Sequence, residues 1–320
     1  MRLLAVAAAL SVLAVPALAN DSTAELGAGG LELVRNEAVD LLSEDLFISA
    51  DAVKVTYHFR NKTDAPVTYL VAFPLPPIDA RTPEEMNIAL PDTGSDDFVD
   101  FRVTVDGVAT EADIDQRVTA LGVDRTADLQ ALGLPLNPLT QGIDDQIAAL
   151  SDDEREGLNR KGLILVDPYN IQAAWRLDQT YFWEQTFPPG KEIVIEHEYK
   201  PVVGYSFFGD NELTDSYYDK YCFDGSFRKA AKQKLAAIAG SPNPYLDEKR
   251  ISYILTTANN WASPIRSFHL TIDKGSPDAI VSFCGTGVKK TGPTTFEINA
   301  ADFTPEQDLE ILIAAPHKDQ

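Results

Sequence analysis

Histidine and cysteine are scarce in this chain of 320 residues, with four of the first and two of the second. A conventional zinc site needs three or four closely placed imidazole, thiolate or carboxylate ligands. His58, His197, His269 and His317 are too scattered to supply one by spacing. Nucleophilic hydrolysis needs a Ser or Cys with a nearby base. Gly204-Tyr-Ser-Phe-Phe-Gly209 has one residue too many for a nucleophile elbow and opens no apolar helix. Gly285-Thr-Gly-Val-Lys-Lys290 lacks the residue order of a phosphate-binding loop. No catalytic residue, metal site or cofactor is therefore assigned. Basic residues are also few: 27 Lys and Arg face 49 Asp and Glu, a formal charge of -22. Such a surface repels nucleic acid and anionic lipid, so no nucleic-acid partner is expected.

Long apolar runs are missing too, apart from one at the start. Leu3 to Val15 is rich in Ala, Leu and Val, follows Arg2 and precedes Pro16. Ala17-Leu18-Ala19 then supplies the small-x-small pattern that signal peptidase reads. The run falls short of the about 20 residues a membrane span requires. Residues 1–19 are expected to be a signal peptide, cut between Ala19 and Asn20. That places the soluble mature chain in the periplasm, with no membrane span. In an oxidising compartment two cysteines pair, so Cys222 and Cys284 are expected to form a disulfide.

The mature chain reads as mainly β. Val53, Val55, Tyr57 and Phe59 share one face of an eight-residue strand, and Lys54, Thr56, His58 and Arg60 the other. A polar turn at Asn61-Lys-Thr-Asp-Ala-Pro66 leads to a second strand, Val67 to Pro74, and the pair reads as a hairpin. Thr180 to Phe187, the turn Pro188-Pro-Gly-Lys191 and Glu192 to Lys200 read as another. Asn20 to Gly30 looks like a loose lead-in, and Gly204 to Asp224 like an irregular stretch. From about 110 to 165 aromatic residues vanish and helical spacing takes over, with a capping box at Ser151-Asp-Asp-Glu154. A short basic helix is expected from Gly225 to Ala239. The expected architecture is two β-rich, sandwich-like domains, residues 20–205 with a helical insertion and residues 206–320 with a short helix and the disulfide.

Three candidate features stand beside plainer readings. Tyr181, Trp183, Tyr217, Tyr218 and Tyr221 are numerous enough for a ligand platform, or they fill the core. Asp96, Asp97, Asp215 and Asp219 lie in acid-rich loops that offer oxygens to a divalent cation, without the EF-hand spacing. His197 shares a face with Ile193, Ile195 and Tyr199, so it should point inward, where Glu184 is a possible partner.

Asn20-Asp-Ser-Thr-Ala-Glu-Leu-Gly-Ala-Gly-Gly30, Ser43-Glu-Asp-Leu-Phe-Ile-Ser49, Phe59-Arg-Asn61 and Val71-Ala-Phe-Pro-Leu-Pro76 carry a resemblance to the bacterial domain-of-unknown-function family 4424. It continues through Tyr181-Phe-Trp-Glu-Gln-Thr-Phe187, His197-Glu-Tyr-Lys-Pro201, Tyr221-Cys222, Trp261, Pro264-Ile265, Asp273-Lys-Gly275 and Val281-Ser-Phe-Cys-Gly285. It implies an exported bacterial protein and carries over no catalytic residue. The Phe-Arg-Asn and Phe-Pro-Leu-Pro pattern is also similar to the opening of von Willebrand-associated inter-α-trypsin domains, which are β-sandwiches; this is fold-level analogy. The expected role is a non-catalytic binding or interaction module for an envelope protein or glycan. The alternatives are a glycan or peptide hydrolase built on paired carboxylates and a divalent-cation binder.

Overall fold

The computed structural model describes residues 20–27, 30–82, 87–167 and 170–317. The protein is mainly β, as the alternation predicts. The largest sheet has eight strands, with Ile265–Asp273, Val39–Ile48, Val53–Asn61, Glu192–Tyr199 and Arg102–Val105 side by side at its middle. A seven-stranded sheet carries Asp113–Ala120, Arg176–Phe187, Val67–Pro74, Ser22–Gly27 and Gly30–Val34 in that order. The two sheets meet through aromatic side chains. His197 of the first packs 5.1 Å from Phe73 and 5.4 Å from Trp183 of the second, and Phe59 meets Phe187 at 6.0 Å. A five-stranded sheet is built on Leu309–Pro316, Leu246–Tyr253 and Val203–Phe208.

Both expected hairpins are arches that cross between sheets. Val53–Asn61 lies in the eight-stranded sheet and Val67–Pro74 in the seven-stranded one. Arg176–Phe187 and Glu192–Tyr199 divide the same way. Each arm pairs with an arm of the other arch: Val53 opposite Tyr199, and Val67 opposite Phe187. Asn61 holds the two turns together. Its amide nitrogen donates to the carbonyls of Ala65 and Phe187, both at 2.8 Å, and its own carbonyl accepts from Gly190 at 2.9 Å. Alternation identifies the buried face of a strand but not the sheet it joins.

The boundary expected near residue 205 does not separate two cores. Ile265–Asp273 runs parallel to Val39–Ile48, across more than two hundred residues of sequence. One buried cluster joins Tyr57, Phe59 and Trp183 to Tyr253, Trp261 and Ile311. A smaller cluster, including Phe208, Tyr221, Phe223 and Phe227, lies against the helix Gly225–Ile238.

Other local expectations shift as well. Asp113–Ala120 is a strand, so the helical part of the insertion reduces to Thr126–Ala131, Ile143–Ala148 and Asp152–Arg160. Ser151 caps the last of these in a full capping box. Residues 204–224 are ordered as the strand Val203–Phe208 and the helix Asp215–Tyr221. The lead-in is also ordered: Ser22–Gly27 pairs with both Gly30–Val34 and Val67–Pro74. Small polar side chains gave no apolar signal there, yet Asn20, Asp21, Ser22 and Thr23 are fully buried.

Candidate binding cleft

Leu75, Pro76, Pro77 and Ile78 follow the strand Val67–Pro74, where consecutive prolines remove donors and end regular pairing. Opposite them lie Tyr199, Pro201 and Val202, at the exit from the eight-stranded sheet, and Ile88 of the strand Ile88–Ala89. Arg250, Ser252 and Glu310 reach in from the five-stranded sheet, and Lys220 and Tyr221 from the helix Asp215–Tyr221. The result is a cleft of about 110 Å³ where three sheets and a helix converge. Junctions of this kind are common sites for small ligands.

The floor is apolar and the wall is polar and fixed. Ser252 donates to Glu310 at 2.8 Å, and Lys220 stands 3.8 Å from the same carboxylate. Arg250 lies 3.4 Å from Glu248, and Tyr217 also reaches Glu248 at 3.5 Å. Burial pushes the Glu248 carboxyl up to about 7, against the pull of Arg250. Among the described residues the wall thus brings two basic side chains, Lys220 and Arg250, beside the carboxyl groups of Glu310 and Glu248. Gly204 lets Arg250 lie close, since a Cβ there would meet the guanidinium Nε at 3.0 Å. Cys222 is bonded to Cys284 in a disulfide with Cα atoms 5.0 Å apart. The bridge fixes the end of the helix that carries Lys220 and Tyr221.

A second polar group is sealed inside the sandwich. His197 bonds Asp21 at 2.9 Å, and both side chains are fully buried. The Asn20 amide donates to Glu44 at 2.9 Å and accepts from the Tyr57 hydroxyl, which also lies 3.1 Å from the Tyr253 hydroxyl. Trp261 donates its indole N–H to the Asp21 carbonyl at 2.6 Å. Burial raises the Asp21 carboxyl, opposed by His197, and pushes Glu44 up to about 8. Glu44 is turned inward by a register shift between Leu41 and Ser43. Before it Val39 and Leu41 face the core; after it Glu44, Leu46 and Ile48 do.

The aromatic and acidic candidates named from sequence do not gather at one site. Tyr181 and Trp183 are buried in the large core, Tyr221 in the small one, and Tyr217 packs against the latter. Tyr218 is exposed, under the guanidinium of Arg228 at 4.5 Å. Four of the five pack in or against cores and Tyr218 stands outside them, so they form no common platform; Tyr221 alone of the five lines the cleft. His197 points inward as expected, but its partner is Asp21; Glu184 is exposed on the opposite sheet. Asp97 accepts from the Tyr181 hydroxyl at 2.7 Å and from the Phe101 amide at 3.0 Å, while Asp96 and Asp219 are exposed. The Asp215 side chain and Ala19 lie outside what is described. Among the described residues no three His, Cys, Asp or Glu side chains converge to hold a metal ion. The cleft and the buried Asn20, Asp21 and Glu44 were missed from sequence. The available signal for Glu44 was the change of phase between Leu41 and Leu46.

Residues 19–312 match the family described as Domain of unknown function (DUF4424). No curated protein matches the chain. Among solved structures, a Legionella pneumophila protein described as a "putative nutrient binding protein" matches at 15% identity. That match covers 92% of this chain and 70% of the other, with a TM-score of 0.48.

Proposed function

The chain belongs to the DUF4424 family, whose description names no activity, and on the geometry of the cleft we propose that it is an exported, non-catalytic binding module. Export is supported by the signal-like residues 1–19 and by the disulfide. No helix among the described residues is long and apolar enough to cross a membrane. The cleft carries the reading: an apolar floor of Leu75, Ile78, Ile88 and Val202 beneath the fixed polar wall of Lys220, Arg250, Ser252 and Glu310. An apolar body with an anionic end fits it, because the floor is apolar and the wall presents Lys220 and Arg250 as charged donors. A short aliphatic carboxylate or the carboxyl end of a peptide has that chemistry. A glycosidase would need two carboxyl groups facing the ligand, and Glu310 is the one acid among the described residues lining the cleft.

The test is calorimetric titration of the mature protein with short aliphatic carboxylates and apolar dipeptides, alongside Ile88→Trp, which fills the cleft from its half-exposed rim. Saturable binding to the native protein and its loss in a folded Ile88→Trp variant support the reading. Heats that are absent, or that persist unchanged in the variant, reject it.

A further inference from the structure

Asn20 is an unusual place for a chain to emerge. Its side chain sits between Glu44 and Tyr57, and the carbonyl of the next residue accepts from the buried indole of Trp261. The next three side chains are fully buried as well, with Asn260 donating to Ser22 at 2.8 Å.

The polar groups around Asn20 are also incompletely paired. Two carboxyl groups, Asp21 and Glu44, are buried beside it, and among the described residues one imidazole, His197, is the only basic group bonded to either. Asp21 Oδ2 and Glu44 Oε1 are buried with no hydrogen-bond partner among the described residues. Burial holds Glu44 largely protonated at neutral pH, and a buried carboxylate persists only beside a cation that pairs it.

We propose that signal-peptide removal completes this interior: the α-ammonium released at Asn20 is the cation that seats among the Asp21 and Glu44 carboxylates. This rests on the export reading above. Hydrolysis of the Ala19–Asn20 bond by a signal peptidase consumes one water and leaves a carboxylate on Ala19 and an ammonium on Asn20. An acyl nitrogen at Asn20 has no charge to offer; an ammonium offers one charge and three donors to oxygens that lack partners. The final fold is thereby tied to processing. A chain still carrying its signal lacks the cation, so the last packing step follows export.

Two measurements separate the seat from the export reading. N-terminal sequencing of protein from the envelope should return Asn20; any other start overturns the processing step. The seat itself is tested on protein released from a fusion by a site-specific protease, so that Asn20 is first, and refolded with its disulfide. The α-amine of the folded protein should react with acetic anhydride at least ~100-fold more slowly than in urea, because reaction requires opening of the core. Adding one Ala before Asn20 should lower Tm, and the drop should shrink in a Glu44→Gln background, which has no carboxylate to satisfy. Equal labelling in folded and unfolded protein, or the same Tm penalty in the native and Glu44→Gln backgrounds, overturns the proposal.

Discussion

Replacing Glu248 with Gln keeps the size and shape of a fully buried side chain and removes its titration. In the folded protein burial holds this carboxyl at about 7, above its ordinary value of 4.5. The folded state therefore binds a proton more tightly than the unfolded chain does. The stability that this protonation contributes is fully present below pH 4.5 and is lost as pH rises through 7. Each pKa unit corresponds to about 1.4 kcal/mol, so the loss totals about 3 kcal/mol above pH 7. The amide of the Glu248→Gln variant has no proton to lose and should avoid that loss. Urea unfolding of both proteins between pH 4 and pH 8.5 measures it. The two curves should diverge as pH rises, with Glu248→Gln the more stable by about 2–3 kcal/mol at the alkaline end. Glu44 is present in both proteins, so its titration cancels in the difference. Parallel curves would show that Glu248 is ionised and well solvated in the folded protein, and would refute the effect of burial on its carboxyl.

Asn61→Ala should destabilise the protein by about 2–4 kcal/mol in urea titrations, since it strips hydrogen bonds from both arch turns and leaves the Phe187 carbonyl unpaired. A loss within error would mean that the arches are held by their strands alone. Cys222→Ser opens a loop of 62 residues and should cost about 4 kcal/mol on the chain-entropy model, with hydrogen exchange rising first in the Lys220–Tyr221 wall. Exchange that rises first in the strand Val53–Asn61 would contradict that placement. Calcium should raise Tm no more than sodium at matched ionic strength. A calcium-specific rise abolished by Asp96→Ala or Asp215→Ala would establish a cation site in the acidic loops.

Much of the fold was legible in the alternation of single strands. Val53 to Arg60 and Val67 to Pro74 were placed closely, and His197 was correctly turned inward by its neighbours Ile195 and Tyr199. Partnership between strands was not legible. A tight turn between two alternating strands looks the same whether the second folds back beside the first or crosses to the facing sheet. The arch at Asn61 became recognisable only through its bonds to Phe187 and Gly190, more than a hundred residues away. Asn20 to Thr23 failed for a different reason. Small polar residues carry no hydrophobic signal, and their burial depends on Glu44, Tyr57, Trp261 and Asn260, brought together only by the finished sandwich. The cleft was hidden likewise, because its lining comes from separate segments between Leu75 and Glu310.

The binding role is tested most directly by locating a ligand. Side-chain and amide chemical shifts of the mature protein should be mapped during titration with a short aliphatic carboxylate. The account predicts that the perturbed resonances cluster at Leu75, Ile88, Lys220, Arg250, Ser252 and Glu310, and that they are unperturbed in Ile88→Trp. Perturbations scattered over the surface, or concentrated away from these residues, would contradict it.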